Sequence, residues 1–248
     1  MTDYLNELET FWDEFAEEYE AIQQESIFPI AEELRDFLLA ENLLPCQTFL
    51  DLAGGSGRYL STLKTYVEKY DLVDLSAEML KLAAAKSSST VQLIKNDQKS
   101  FLSQNKQRYG IVFSAMNPAL QTKEELLDFC QASHDWCLIL RVITDEDQLF
   151  SPYEEINSDL LLNERYKSFL NELHIPYLTK KFAYTNYEEV TRDFFQEYFL
   201  EEFSPVELAK ITEKTFGNKQ QKMNQQSLVF ELIYFHGPKT YNCLLYTS

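Results

Sequence analysis

The chain has 248 residues, room for one large domain with an insertion and cramped for two independent ones. Hydrophobic residues at 45% and aromatics at 14% exclude disordered and fibrous classes. A net charge of −18 repels phosphate backbones and anionic headgroups, so nucleic acid and membrane are disfavoured partners, and solubility is the plain reading of the acidic surface.

Residues 3–23 place Leu5, Leu8, Phe11, Trp12, Phe15, Tyr19 and Ile22 at helical spacing, with acidic residues on the other face. Asp3, Glu7 and Glu9 stand where a signal peptide needs positive charge, and no uncharged apolar run is long enough to span a bilayer, so a cytoplasmic location is expected. A second helix runs from Pro29 through Ile30, Leu34, Phe37 and Leu38 and stops near Pro45. Short apolar runs at 48–52, 70–74, 91–94, 109–113 and 136–140 then alternate with helical patterns at 61–67, 77–85 and 123–133. Such alternation predicts right-handed crossovers and a doubly wound α/β core with a parallel sheet covered on both faces. Beyond residue 145 the pattern predicts helices at 153–173, 188–200 and 205–215 and strands at 177–185 and 227–235. The aromatics here (Tyr184, Tyr187, Phe194, Phe195, Tyr198, Phe199, Phe203) read mostly as core, with a minority available to line a pocket.

Cys46, Cys130, Cys137 and Cys243 show no C-x-x-C pairing and read as free thiols. His134, His174 and His236 have no metal-ligand spacing, and no metal site is expected.

The chemistry-bearing stretch is Phe49-Leu50-Asp51-Leu52-Ala53-Gly54-Gly55-Ser56-Gly57-Arg58, a strand entering a glycine loop and then a helix. Glycines let the loop turn tightly and let a ligand approach the backbone. In open α/β sheets ligands bind beyond the carboxyl ends of the strands, where this loop falls. Asp74 ends the second strand about 20 residues after Gly55, the separation of an acid that grips ribose hydroxyls, and Asp97 follows the third strand. An adenine could lie between those two strand ends, with Leu75 or Met79 against its face. The dinucleotide fingerprint G-x-G-x-x-G fails at Leu60 counted from Gly55 and at Ser56 counted from Gly54. Asp51 would crowd a pyrophosphate but suits an ammonium, and the absence of G-K-[ST] excludes a standard P-loop.

Asp51-Leu-Ala-Gly-Gly-Ser-Gly57 together with Val73-Asp74-Leu75-Ser76-Ala77-Glu78-Met79-Leu80 resembles the class I S-adenosylmethionine-dependent methyltransferases, over residues 49–116. Residues 11–20 are similar to the helix preceding the core in small-molecule members. The resemblance implies a Rossmann-like, mostly parallel seven-stranded sheet with a helical, aromatic cover. It divides the chain into an N-terminal helical cover (1–45), an S-adenosylmethionine-binding core (46–145), and the remaining sheet with cover helices (146–248), in one domain overall. It implies that Asp51 organises the methionine end of the cofactor, that Ala53, Gly54, Gly55 and Gly57 line its backbone, and that Asp74 binds both ribose hydroxyls. Asp97 resembles the acid that reads the adenine amino group, Gln98 would offer its backbone N–H to the ring, and Tyr19 would close over the methionyl carboxylate. Ala53 departs from the D-x-G-x-G-x-G pattern. The competing reading of Asp97 is the cap of a short helix beginning near Lys99. Asn117-Pro118 is similar to the N-P-P-Y of amino-methylating members but lacks the second proline and the tyrosine, and reads as a turn.

The expected activity is in-line methyl transfer to a small-molecule acceptor, for which no catalytic base is singled out. The alternatives are a protein or RNA methyltransferase and a non-catalytic nucleoside-binding regulator.

Overall fold

The computed structural model describes residues 2–238; Cys243 lies outside the described residues. The elements are α1 (Thr2–Glu25), α2 (Ile30–Ala40), β1 (Cys46–Leu52), α3 (Leu60–Leu63), β2 (Val67–Asp74), α4 (Ala77–Ala85), β3 (Val91–Lys95), α5 (Gln98–Gln104), β4 (Tyr109–Ala115), α6 (Lys123–Gln131), β5 (Ser133–Asp147), α7 (Leu162–Glu172), β6 (Leu178–Thr191), α8 (Arg192–Tyr198), α9 (Pro205–Phe216) and β7 (Gln221–His236). Local chemistry sets the starts of several helices. Side chains of Ser76, Asp97 and Thr191 cap α4, α5 and α8, while Thr122 and Ser204 form reciprocal capping boxes with Glu125 and Glu207.

Seven strands form one sheet in the order β3-β2-β1-β4-β5-β7-β6. The pairs β3-β2, β2-β1, β1-β4 and β4-β5 are parallel. The mostly parallel sheet expected from the sequence is corrected here: the sheet is mixed. Gln148 N–H donates to Gln225 O (2.9 Å) and Gly237 N–H to Asp135 O (2.8 Å), so β7 runs opposite to β5. Arg192 N–H donates to Gln220 O (2.8 Å) and the Tyr184 and Phe230 rings meet at 6.3 Å, an equally reversed register between β6 and β7. The physical reason is the connection: β6 returns through α8 and α9 to the strand beside it, a turn-back rather than a crossover.

Other boundaries moved as well. The helix expected at 61–67 is a short helix and a 3-10 turn, because Val67 already opens β2 and is buried in it. The helix expected at 153–173 begins only at Leu162. Asn157 accepts the Asp159 N–H (2.9 Å), and the Asx turn this makes interrupts the pattern. Residues 188–191, expected to open a helix, belong to β6, where Phe182, Tyr184, Asn186 and Val190 are the covered positions of one alternating series and Glu188 of that series is exposed.

The chain divides into two compact units. Of the described residues, the first holds 2–141, 162–182 and 231–238. One face of its sheet, carrying Leu50, Leu52, Val112 and Ile139, packs on Phe129 of α6 and Tyr166 and Leu170 of α7. The other face carries Phe49, stacked on Tyr70 at 4.8 Å, and Phe113, against which Tyr59 packs edge-on at 5.1 Å. The second unit holds residues 142–161 and 183–230, with its own core of Phe150, Val190, Phe195, Phe199, Leu208 and Phe216. Its Phe195 and Phe199 are fully buried, whereas Tyr187, Phe194 and Tyr198 are exposed. Among the described residues no helix is long and apolar enough to cross a membrane, and Cys46, Cys130 and Cys137 are free.

Polar contacts tie α1 to the first unit. Asp13 Oδ1 accepts from the Ser76 hydroxyl (2.6 Å) and the Glu78 N–H (3.1 Å), reinforcing the start of α4. Glu9 pairs with Lys95 (2.6 Å) and Glu20 with Lys86 (2.7 Å), and Lys86 also donates to Ser56 O (2.9 Å). Ala16 is fully buried between these attachments. Asp13→Ala should therefore cost about 1 kcal/mol, the scale of a lost cap. It should also speed amide exchange in α1 more than in β1, β2 or β4, as hydrogen-exchange mass spectrometry would register; uniform exchange throughout would contradict this attachment.

Candidate active site

Alternation along β1 puts Phe49 and Asp51 on one face and Leu50 and Leu52 on the other. Asp51 is thereby carried into a buried position near the strand's carboxyl end, where the Tyr70 hydroxyl donates to its Oδ2 at 2.7 Å. Burial pushes the Asp51 carboxyl up to about 7; the Tyr70 hydrogen bond opposes the rise and the Asp74 charge adds to it. Asp74 closes β2 next door, since Asp51 and Leu52 pair in register with Leu72 and Val73. Burial raises its pKa too, held in check by N–H donors from Ser76, Gly55 and Leu75.

Those donors shape the glycine loop. Gly55 N–H donates to Asp74 Oδ2 (2.8 Å), Ser76 N–H to Oδ1 (2.9 Å), and Gly54 N–H to Val73 O (3.1 Å). A Cβ at Gly54 would meet Leu72 at 2.6 Å and Asp51 at 2.9 Å, so the strand end and the loop touch with no side chain between them. Gly55 sits at φ +55°, where its Cβ would have nothing closer than Met79 sulfur at 3.9 Å. Ala53 holds φ +59°, a left-handed conformation that glycine adopts without strain.

Beyond these strand ends opens a cleft of about 550 Å³, within the range of small-ligand sites. It gathers Tyr19, Ala53, Gly55, Asp74, Leu75, Met79, Asp97 and Gln98 of the residues read from the sequence. A recess of about 30 Å³ shares Tyr19, Ala53 and Gly55 with the cleft and adds Asp51 and Gly54. Gly57 lines neither; at φ +77° it turns the chain against Leu60 and Ala83. Asp97 faces the cleft and also caps α5, accepting from Ser100 N–H (2.9 Å). Gln98 is the first residue of α5, so its N–H has no intrahelical acceptor.

Several lining residues were not read from the sequence as site residues. Leu5, Leu8 and Trp12 line the cleft with Tyr19, and their helical spacing along α1 carried that signal. Ala115 ends β4 and Met116 follows it, across the point where strand order reverses, which is where a ligand is expected. Asn117 is buried, its Oδ1 accepting from Ala119 N–H (2.8 Å) and its Nδ2 donating to Gln98 Oε1 (2.6 Å) and Ser114 Oγ (2.9 Å). With its oxygen engaged in an Asx turn, it braces the loop after β4, and Arg141 donates to its carbonyl (2.8 Å).

A family model described as a methyltransferase domain matches residues 49–137, the span from β1 into β5 that supplies all three acidic strand ends. Residues 49–137 form a methyltransferase domain. No curated protein matches the chain. Solved structures similar to it include the S-adenosylhomocysteine complex of DhpI, 13% identical with a TM-score of 0.49 over 94% of this chain and 97% of that one. Magnesium protoporphyrin IX methyltransferase from Synechocystis PCC 6803 is 11% identical, TM-score 0.44, over 85% and 82%. CalS10, an amino pentose methyltransferase from Micromonospora echinaspora, is 21% identical, TM-score 0.40, over 50% and 54%.

The residues lining this cleft and recess fit S-adenosylmethionine. S-adenosylmethionine carries an ammonium, a ribose diol and an adenine amino group, all hydrogen-bond donors, and the strand ends here present three carboxylates. Each Asp74 oxygen has a second lone pair beyond the one its backbone donor occupies. Gly54→Ala should lower stability by about 1–3 kcal/mol through overpacking against Leu72 and Asp51. Ala53→Gly should stay within about 1 kcal/mol of the parent, because relief of the left-handed strain offsets the added freedom of the unfolded chain. Thermal melts of the two variants check both; a tolerated Gly54→Ala would mean that the strand end and loop are not in contact.

Proposed function

We propose that this methyltransferase acts on a small-molecule acceptor, with Asp51, Asp74 and Asp97 holding the cofactor by its ammonium, ribose and adenine. S-adenosylmethionine, when bound, supplies a methyl group already activated on a sulfonium, so the protein's work is alignment and exclusion of water. Leu75 and Met79 would flank the adenine, with the Gln98 N–H reaching the ring. Ala53, Gly54 and Gly55 would leave room for the methionyl chain, and Tyr19 would cover it. Residues 1–45 serve in this reading as a cover, supported by α1 residues Leu5, Leu8, Trp12 and Tyr19 along the cleft. No residue is assigned as a general base.

The observation that carries the reading is the buried Asp51 carboxylate beside the glycine loop, a counter-ion in want of a cation. Its pH signature is testable. In the ligand-free protein burial holds the carboxyl half protonated near pH 7, and a bound ammonium charges it. Affinity for S-adenosylhomocysteine should rise about tenfold per pH unit below 7 and level off above, with proton release on binding. Titration calorimetry from pH 5.5 to 8.5 checks this, and Asp51→Asn should flatten the profile. An unchanged slope in that variant would remove Asp51 from the site.

The small-molecule reading is supported by charge. At −18 the protein opposes polyanions, and its denser basic groups, Lys180-Lys181 and Lys219 to Lys222, are short. Lys180 lies over the Phe37 and Phe182 rings and Lys222 donates to Thr215 O (3.0 Å). The free thiols Cys46, Cys130 and Cys137 support a cytoplasmic place of action. Fluorescence anisotropy with total tRNA and rRNA fragments at physiological salt should detect only background binding; micromolar, salt-sensitive binding would put RNA methylation first.

A further inference from the structure

Tyr59 stands at the start of α3, 5% exposed, with its ring edge-on to Phe113 and its hydroxyl without a hydrogen-bond partner. A buried hydroxyl left unpaired carries its full desolvation cost, and such groups in native structures call for a reason. The reason offered by position is the recess. Tyr59 lines it together with Asp51 and Arg58, and the Arg58 guanidinium carbon lies 6.0 Å from the centre of the Tyr59 ring. Among the described lining residues Asp51 is the sole anion and Arg58 the sole cation. At about 30 Å³ the recess admits a small polar head and not a ring.

One negative, one positive and one neutral donor around so small a space match an α-amino-acid head, which bears one ammonium and one carboxylate. We propose that the Tyr59 hydroxyl is a positioning group that donates a hydrogen bond to the carboxylate at the amino-acid end of the cofactor, Asp51 taking the ammonium. An ammonium seated on Asp51 uses the only anion in the recess, and its attached carboxylate then needs donors, which Tyr59 and Arg58 are. Burial pushes the Tyr59 phenol above its ordinary pKa, so the group stays a donor throughout the working pH range. Seen this way, Tyr59 fixes the methionyl chain at its far end and so limits the angles open to the methyl group.

This assignment rests on the cofactor reading of the cleft, and the experiment separates the two. Tyr59→Phe keeps the ring and removes only the hydroxyl. Calorimetry would compare the parent and the variant with S-adenosylhomocysteine and with its decarboxylated analogue. A hydrogen bond to a charged group predicts affinity for the intact ligand about ten- to a hundredfold weaker in Tyr59→Phe. Affinity for the decarboxylated analogue should change less than about twofold, since the hydroxyl's partner is missing from it. The melting temperature of ligand-free Tyr59→Phe should not fall, because no bond made in the free protein is lost. Loss of affinity for both ligands alike, or for neither, would overturn the assignment while leaving the cofactor reading in place. Failure of the parent to bind either ligand would overturn both.

Discussion

Asp74 is one carboxylate with backbone donors on both oxygens, and much of the site follows from where they come from. Gly55 reaches it from the loop after β1 and Ser76 from the turn that opens α4, at 2.8 and 2.9 Å. The acid therefore joins two parallel strands at their carboxyl ends by side-chain chemistry where the sheet's own ladder stops. Ser76 then caps α4 by accepting from Met79 N–H, and its hydroxyl donates to Asp13 of α1. Loop, helix start and cover are linked in sequence through three polar residues, and displacing Asp74 would disturb all of them together.

Such a link has an electrostatic consequence. Asp51 is buried and Asp74 half-buried on adjacent strands, and the Asp74 charge raises the cost of charging Asp51 as the Asp13 charge does for Asp74, so the strand ends form a region of frustrated negative charge. Desolvation is the largest influence on both groups. Nearby, Asp97 serves as a helix cap and Tyr70 blunts Asp51, which keeps the frustration tolerable without removing it. A binding site that is poor ground for its own charges is well prepared for a cationic ligand.

How much of this was legible in the sequence differed by element. The glycine loop, Asp51 and Asp74 could be read because loop and acid are local patterns: a turn needing positive φ, and a strand end a fixed distance on. Helix α4 came out at its observed bounds because Ser76 is a strong cap and the apolar residues after it keep helical period. Residues 188–191 misled because two glutamates favour helix, while Phe182 and Val190, eight residues apart, anchor a strand only when its neighbour is known. The direction of β6 and β7 was likewise hidden, since apolar alternation carries no sign of which way a strand runs. Tyr59 was illegible as a site residue for a related reason: Phe113, against which it packs, and Asp51, with which it lines the recess, lie on other elements.

The two ion pairs along α1 are unequal in a way that gives the helix a preferred direction of release. Glu9 and Lys95, near its amino end, keep 30% and 50% of their side-chain surface in water, whereas Glu20 and Lys86 keep 10% and 23%. Mobile ions screen the first pair far more than the second, over a length of about 8 Å at physiological ionic strength. Rising salt therefore peels α1 from its leading turns while Glu20 still grips Lys86. The side of the cleft beneath Leu5 and Leu8 becomes accessible first, and the recess beneath Tyr19 last.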